Sequence, residues 1–152
     1  MFAGSFVCRM DRQGRVAIPP AFRRTIEEAG DSFVLTFFDD AIAGYPRGAW
    51  LSLEKQVLAL PAFSKKARSL SRVLASRAHE SRLDSQGRIL VPPALRRMAG
   101  VERDVVVIGA MDRFEIWPAQ KWNSFATEAE ALLDAASSEL SLGPVPPSTV
   151  QA

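Results

Sequence analysis

Two arginines in the same local sequence context are the side chains best suited to hold an anionic ligand. Arg15 and Arg88 each follow the tetrapeptide Asp-x-Gln-Gly, at residues 11–14 and 84–87. Aspartate is favoured at the first position of a type I turn and glycine where the backbone φ is positive, so a hairpin turn is expected before each arginine. The residues interpreted as structural parts of these turns are Asp11, Gly14, Asp84 and Gly87. An arginine leaving such a turn can bond a phosphate or a guanine edge with its planar fork.

An alternative use of Arg15 and Arg88 is internal. Each could form an ion pair with the aspartate four residues before it, across the turn. The two uses are compatible, because a carboxylate can orient a guanidinium that also reaches outward. We predict that both arginines contact the anionic ligand.

Further arginines surround the two turns and are predicted to contact the same ligand. Arg9 and Arg82 lie two residues before the turns, and Arg12 lies at the first hairpin tip, where the second copy has Ser85. Neighbouring residues on a helix point in different directions. One arginine of each following Arg-Arg pair is therefore predicted to bind a phosphate, and the other to be solvated or ion-paired. The pairs are Arg23 with Arg24, and Arg96 with Arg97.

These arginines belong to an internal repeat. The segment Asp-Arg-Gln-Gly-Arg-Val-Ala-Ile-Pro-Pro-Ala-Phe-Arg-Arg at 11–24 recurs as Asp-Ser-Gln-Gly-Arg-Ile-Leu-Val-Pro-Pro-Ala-Leu-Arg-Arg at 84–97. Two copies are too few for a solenoid. The repeat therefore predicts two modules related by a pseudo-twofold axis.

Each copy has the pattern of a β-hairpin, a short helix and two further strands. Proline ends each return strand and suits the first turn of the following helix, at 21–29 or 94–99. The strands expected in the first copy are 5–10, 15–18, 32–38 and 41–45. Those expected in the second copy are 81–83, 88–91, 104–111 and 113–117.

Helical spacing of apolar residues predicts three longer helices. The first covers 47–60 and places on one face Trp50, Leu53, Val57 and Leu60. The second runs from 65 to about 78. The third carries apolar residues at helical spacing from Trp122 to Leu140. The tryptophans are expected to be core or subunit-interface anchors.

Composition and charge narrow the function classes. Net charge is +2 and the pI is about 9.0, but arginines gather around the two turns while acids gather near the C-terminus. Segregated positive charge favours an anionic partner, and the alternative is an ion-paired, solubilising surface. Apolar runs are too short for a membrane span, and a single cysteine excludes an internal disulfide. The sequence predicts neither a signal peptide nor a membrane association.

The sequence also argues against catalysis. It contains no Gly-rich phosphate loop and no Ser/His/Asp pattern, and one histidine, His79, with one distant cysteine is too little for a zinc site. We therefore expect no enzyme activity, no cofactor, no metal and no small-molecule substrate.

The doubled hairpin motif resembles the AbrB-type swapped-hairpin module, and two copies with tryptophan-bearing helices resemble the MraZ family. The resemblance covers roughly residues 1–140. It implies an α+β, β-rich fold, in which two pseudo-twofold modules form a double-split, swapped-hairpin β-barrel with flanking helices. It also implies a cytoplasmic, nucleoid-associated transcription regulator of the division and cell-wall gene cluster. Such a regulator binds tandem boxes of double-stranded promoter DNA as a homo-oligomeric ring, with Arg15 and Arg88 on the DNA.

The expected organisation is a first repeat at 5–52, linking helices at 53–80, a second repeat at 81–124, a C-terminal helix at 125–142 and a disordered tail at 143–152. Two other functions stay open. An AbrB-type antitoxin would use a disordered C-terminal segment to wrap a toxin, whereas this C-terminal region is mainly patterned as a helix. A ring-forming structural protein without operator binding is the other alternative.

Overall fold

A computed structural model describes residues 1–139, apart from the side chains at 134, 137 and 138. Leu140 and the tail predicted to be disordered at 143–152 lie outside the described residues. Within 1–139 the chain is an α+β protein. The first repeat contains β1 (Ser5–Arg9), β2 (Arg15–Ala17), α1 (Pro20–Glu28), β3 (Ser32–Phe38), β4 (Ala41–Pro46) and α2 (Arg47–Leu58). Helix α3 (Lys65–Ser76) follows. The second repeat contains β5 (His79–Arg82), β6 (Arg88–Leu90), α4 (Pro93–Ala99), β7 (Asp104–Gly109), β8 (Phe114–Pro118) and α5 (Ala119–Glu139).

The two repeats exchange strands. The first strand of each repeat pairs with the third strand of the other, β1 with β7 and β5 with β3, and β4 joins β8 at the centre. The resulting six-stranded antiparallel sheet has the order β1-β7-β8-β4-β3-β5, which reads the same from either end when the repeats are interchanged. Each repeat therefore completes the sheet of the other.

The described strands do not close into the expected barrel. Strands β2 and β6 pair with each other in a separate two-stranded ladder, so β1 and β5 remain as edges of the larger sheet. A single bridge, Met10 to Val16, connects the first hairpin's two arms. The α+β class with two repeats is confirmed, and the barrel is not seen among residues 1–139.

The short helix of each repeat covers the same sheet. Helix α1 starts after Pro19 with Pro20 in its first turn, and its fully buried side chains are Phe22 and Ile26. These two residues are four apart, so they lie on one helix face. Helix α4 has the same proline start and buries Leu95 and Ala99 at the same spacing. Both pairs join one hydrophobic core, which fixes the helices relative to the sheet.

Element boundaries differ from the sequence-based expectation at several ends. Strand β5 begins at His79 rather than at 81, because His79 and Glu80 already pair with β3, opposite Leu35 and Val34. Helix α2 ends at Leu58, before Pro61, so Leu60 is not on an inward helix face and is 41% exposed. Trp117 is buried as expected, whereas Trp50 is only half-buried.

The chain divides into two compact units. The first is Met1–Ala119 and contains both hairpins and both sheets, and the second begins at Gln120. In the described part of the second unit, α5 is helical through Glu139, and Leu132 and Leu133 on it are exposed. Among the described residues no helix is long and apolar enough to cross a membrane.

Candidate nucleic-acid interface

The two hairpin turns have the same hydrogen bonds. In the first, Oδ1 of Asp11 accepts the backbone N–H groups of Gln13 and Arg15 at 2.9 and 2.8 Å. In the second, Oδ1 of Asp84 accepts those of Gln86 and Arg88 at 2.8 and 2.9 Å. Each aspartate therefore organises its turn by bonding the backbone ahead of it, which is the structural role predicted for Asp11 and Asp84.

The glycine of each turn has the left-handed backbone that the motif predicts. The φ of Gly14 is +87° and that of Gly87 is +73°, a region that residues with a Cβ rarely adopt. The N–H of Gly14 bonds the carbonyl of Asp11 at 3.1 Å, and that of Gly87 bonds the carbonyl of Asp84 at 3.0 Å. These bonds close the turns immediately before the two arginines.

The two turns are joined to each other through the return strands. In the β2–β6 ladder Val16 lies opposite Ile89, and both side chains are fully buried. The ladder is extended at its ends, because the N–H of Ile18 bonds the carbonyl of Gly87 at 3.0 Å and the N–H of Val91 bonds that of Gly14 at 2.9 Å. A two-stranded antiparallel ribbon thus carries one turn at each end.

Arg15 and Arg88 lie on the outward face of this ribbon. Side chains alternate along a strand. Because Val16 and Ile89 point into the core, the residues on either side of them point away. Arg15 pairs in register with Leu90, and Arg88 with Ala17, so the two arginines lie diagonally across one face. The repeat thus brings the two predicted DNA contacts onto a single surface.

The two arginines differ in their partners. Nε of Arg88 is 2.9 Å from Oδ2 of Asp84, so the internal ion pair considered from the sequence is present in the second repeat. Among residues 1–139, Arg15 has no ion pair with Asp11. Both side chains are partly exposed, and an exposed ion pair of this kind is weak enough to exchange for a phosphate.

The charge of the turn carboxylates is stabilised by the backbone. The N–H of Arg15 is the main cause that lowers the pKa of Asp11 below its ordinary 3.8, and the nearby Arg15 and Arg88 charges act in the same direction. The N–H of Arg88 likewise lowers the pKa of Asp84. Both turns therefore keep their carboxylates ionised at neutral pH.

The other predicted arginines fall into two groups by their exposure. Arg12, Arg24, Arg82 and Arg97 are exposed, and Arg9 is exposed beside Asp104 at 3.8 Å. Arg23 and Arg96 are half-buried, and Nε of Arg23 donates to the carbonyl of Ile18 at 2.6 Å. The structure thus separates the two members of each Arg-Arg pair, as the helix geometry predicts.

Sequence reasoning missed two exposed residues near this surface. Arg103 is exposed, and its carbonyl accepts the N–H of Met10 at 2.7 Å, next to the first hairpin. The repeat gives no signal for it, because the strand register places Asp31 at the matching position of the first copy. Leu90 is 51% exposed on the outward face of the ribbon, opposite Arg15. Only the strand register identifies either residue.

The described residues contain no cluster of three or more His, Cys, Asp and Glu side chains that could hold a metal ion. Taken together, the fold and the site define a protein of two interlocked hairpin-and-helix repeats, with paired arginines on one antiparallel ribbon.

Comparison with known proteins agrees with this class. The family model described as "MraZ protein, putative antitoxin-like" matches twice, at residues 1–73 and 74–142. A protein of Lactiplantibacillus plantarum named transcriptional regulator MraZ is 42% identical over 135 residues, covering 88% of this chain and 94% of the relative. Relatives with the same name from Natranaerobius thermophilus and Nitrosospira multiformis are 40% and 36% identical, covering 92% of this chain and 96% and 97% of the relatives. The chain belongs to the MraZ family, as its doubled motif predicts.

Proposed function

We propose that this chain is a sequence-specific, DNA-binding transcriptional regulator that represses the division and cell-wall gene cluster. The observation that carries the proposal is the position of Arg15 and Arg88 on the outward face of one two-stranded ribbon. A ribbon of this width enters the major groove, where arginine reads guanine through two acceptors. The transcriptional-regulator names of relatives that align with most of this chain support the same function.

The surrounding arginines supply the sequence-independent part of binding. Exposed Arg12, Arg24, Arg82 and Arg97 are close in sequence to the ribbon, and phosphate contacts from such residues set the position of a protein on a duplex. In this proposal Arg9, beside Asp104, exchanges its exposed ion pair for a phosphate. Each such contact releases counterions, so binding weakens as salt rises.

The strand exchange supports the swapped-hairpin part of the proposal. In a swapped hairpin the two arms of one hairpin pair with different partners, and here β1 pairs with β7 while β2 pairs with β6. This crossed pairing is the evidence for an exchange of hairpin arms between the two repeats.

A homo-oligomer, most simply a ring, would place several ribbons on tandem promoter boxes. One ribbon offers only two arginines to base edges, which is a small direct contact. Linking such contacts raises apparent affinity by about 10²–10⁴ without a new kind of contact. A DNA ligand of this kind also assigns the protein to the cytoplasm, at the nucleoid.

The proposal is tested by binding to the DNA upstream of the chain's own gene, measured by fluorescence anisotropy at several salt concentrations. Wild type is compared with the double variant Arg15→Ala, Arg88→Ala. The matched control, Arg68→Ala with Arg72→Ala, removes the same charge from exposed positions on α3. Circular dichroism establishes that each variant is folded.

Specific binding that is lost in the hairpin variant and kept in the α3 variant supports operator recognition by the ribbon. Equal losses in the two variants would reduce the interaction to general charge attraction. Folded wild type that does not distinguish this duplex from a scrambled one would overturn the proposal. The structural ring or the antitoxin function, which the family description also mentions, would then take its place.

A further inference from the structure

The first arginine of each Arg-Arg pair lies against the hairpin turn of the opposite repeat. A Cβ built on Gly87 would lie 2.5 Å from Cζ of Arg23, which belongs to α1 of the first repeat. A Cβ built on Gly14 would lie 2.7 Å from Cζ of Arg96, which belongs to α4 of the second repeat. The same cross-repeat contact therefore occurs twice, once on each turn.

These two guanidinium groups lie partly inside the protein. Nε of Arg23 donates to the carbonyl of Ile18 at 2.6 Å, and both Arg23 and Arg96 are half-buried. Nε of Arg96 is buried and has no hydrogen-bond partner within the described part of the chain. Their neighbours Arg24 and Arg97 are exposed. The member of each pair that is free to reach a phosphate is thus the second one.

A short chain of contacts connects Arg23 to Arg88. Ile18 uses both of its backbone groups here, because its carbonyl accepts from Arg23 and its N–H donates to the carbonyl of Gly87 at 3.0 Å. Gly87 immediately precedes Arg88. The guanidinium of Arg23 thus covers the turn and also fixes the strand residue to which the turn is bonded.

We propose that Arg23 and Arg96 are positioning residues, each of which holds the hairpin turn of the opposite repeat so that its arginine faces DNA. Arg23 acts on Arg88, and Arg96 acts on Arg15. This inference rests on the proposed DNA-binding function, and it leaves the phosphate contact predicted for one arginine of each pair to Arg24 and Arg97. Glycine is required at both turns for packing as well as for backbone conformation.

The two roles give opposite coupling patterns in operator binding. A residue that contacts phosphate directly acts independently of Arg88, and its loss lowers the slope of log K against log salt by about 0.9. A positioning residue acts only through the arginine that it positions. Its effect therefore disappears once that arginine has been removed, which a double-mutant cycle measures.

The experiment is a pair of such cycles with the full chain and the upstream duplex, in which Arg23→Gln is combined with Arg88→Ala and separately with Arg15→Ala. We expect Arg23→Gln alone to weaken binding by roughly tenfold, within the range of one arginine–guanine contact. It should have no further effect in the Arg88→Ala background and its full effect in the Arg15→Ala background. Arg24→Gln is the matched control, expected to be additive with both and to lower the salt slope.

Two further variants guard against a general loss of folding. Arg23→Lys keeps the charge but not the planar fork, so a positioning role predicts weak binding, whereas a phosphate ligand would tolerate it. The mirror variant Arg96→Gln should couple to Arg15→Ala and not to Arg88→Ala. Additivity of Arg23→Gln with Arg88→Ala, or equal coupling to both hairpin arginines, would overturn the proposal.

A measurement without DNA separates this inference from the proposed function. In Arg23→Lys the backbone amide resonance of Gly87 should shift while that of Gly14 stays in place, whatever the protein binds. If wild type does not bind the duplex but this shift occurs, the DNA function fails and the cross-repeat contact stands. If Gly87 does not respond, the positioning proposal is wrong.

Discussion

The substitution Gly87→Ala tests the cross-repeat packing at the second hairpin turn. Two costs add at this position. Alanine at a φ of +73° loses about 1–2 kcal/mol to backbone strain, of which its lower freedom in the unfolded chain returns about 0.4–1 kcal/mol. Its Cβ would also lie 2.5 Å from Cζ of Arg23 and displace that guanidinium, and because this is the end of a flexible side chain the cost is at the low end of overpacking, about 1 kcal/mol. The free energy of unfolding should therefore fall by about 2 kcal/mol.

Gly30→Ala is the matched control for the backbone term. Gly30 has a φ of +101°, but a Cβ there would meet no atom within 4 Å. Only the strain remains, so the expected loss is about 1 kcal/mol. Gly14→Ala belongs with Gly87→Ala, because its Cβ would lie 2.7 Å from Cζ of Arg96.

Urea denaturation followed by circular dichroism measures all three variants under the same conditions. The expected order is a small loss for Gly30→Ala and larger, similar losses for Gly14→Ala and Gly87→Ala. Three equal losses would show that the arginines exert no packing constraint on the turns.

Two further predictions concern the core and the turn carboxylates. Phe22 is 1% exposed and packs edge-on against Phe2, with ring centroids 5.3 Å apart. The substitution Phe22→Ala should therefore lower the free energy of unfolding by about 3–5 kcal/mol. The control Phe63→Ala, at a position that is 97% exposed, should change it by less than about 0.5 kcal/mol. The folded-state pKa values of Asp11 and Asp84 lie below 3.8, so their contribution to stability is fully present above that pH and is lost as the pH falls through the lowered values. Replacing both aspartates by asparagine keeps the oxygen acceptors of the turns but removes the titrating groups. The free energy of unfolding, measured by urea denaturation at a series of acidic pH values, should then fall less steeply with decreasing pH than in wild type. An unchanged dependence on pH would contradict the assignment.

The local parts of this structure follow from the sequence because their causes are local. Asp11 and Gly14 specify a turn through bonds within five residues, and Pro20 starts a helix through its fixed φ and missing N–H. The repeat then transfers each conclusion from the first copy to the second. The turns, the short helices and the outward direction of Arg15 could all be predicted for this reason.

The long-range pairing of strands could not be predicted from the sequence, because the residue pattern of one strand does not specify which strand it pairs with. The pairing of β1 with β7 and of β5 with β3 decides that the sheet has edges and that β5 begins at His79. The same pairing brings Arg23 to Gly87, which is 64 residues away in the chain. The periodicity of apolar residues and the chemistry of turns do not predict contacts between distant segments. The sequence therefore does not distinguish the role of Arg23 from that of Arg24, and only the fold does.

DNA bound on the outward face of the β2–β6 ribbon should be within reach of photoreactive groups placed at the two hairpin tips. A photoreactive phenylalanine analogue is placed at Gln13 or Gln86, exposed at the two hairpin tips, and in a control chain at exposed Phe63. Crosslinks to the upstream duplex are expected from both tips and none from position 63. Crosslinks from position 63 with none from either tip would contradict this placement of the DNA, because the duplex would then lie on a different surface.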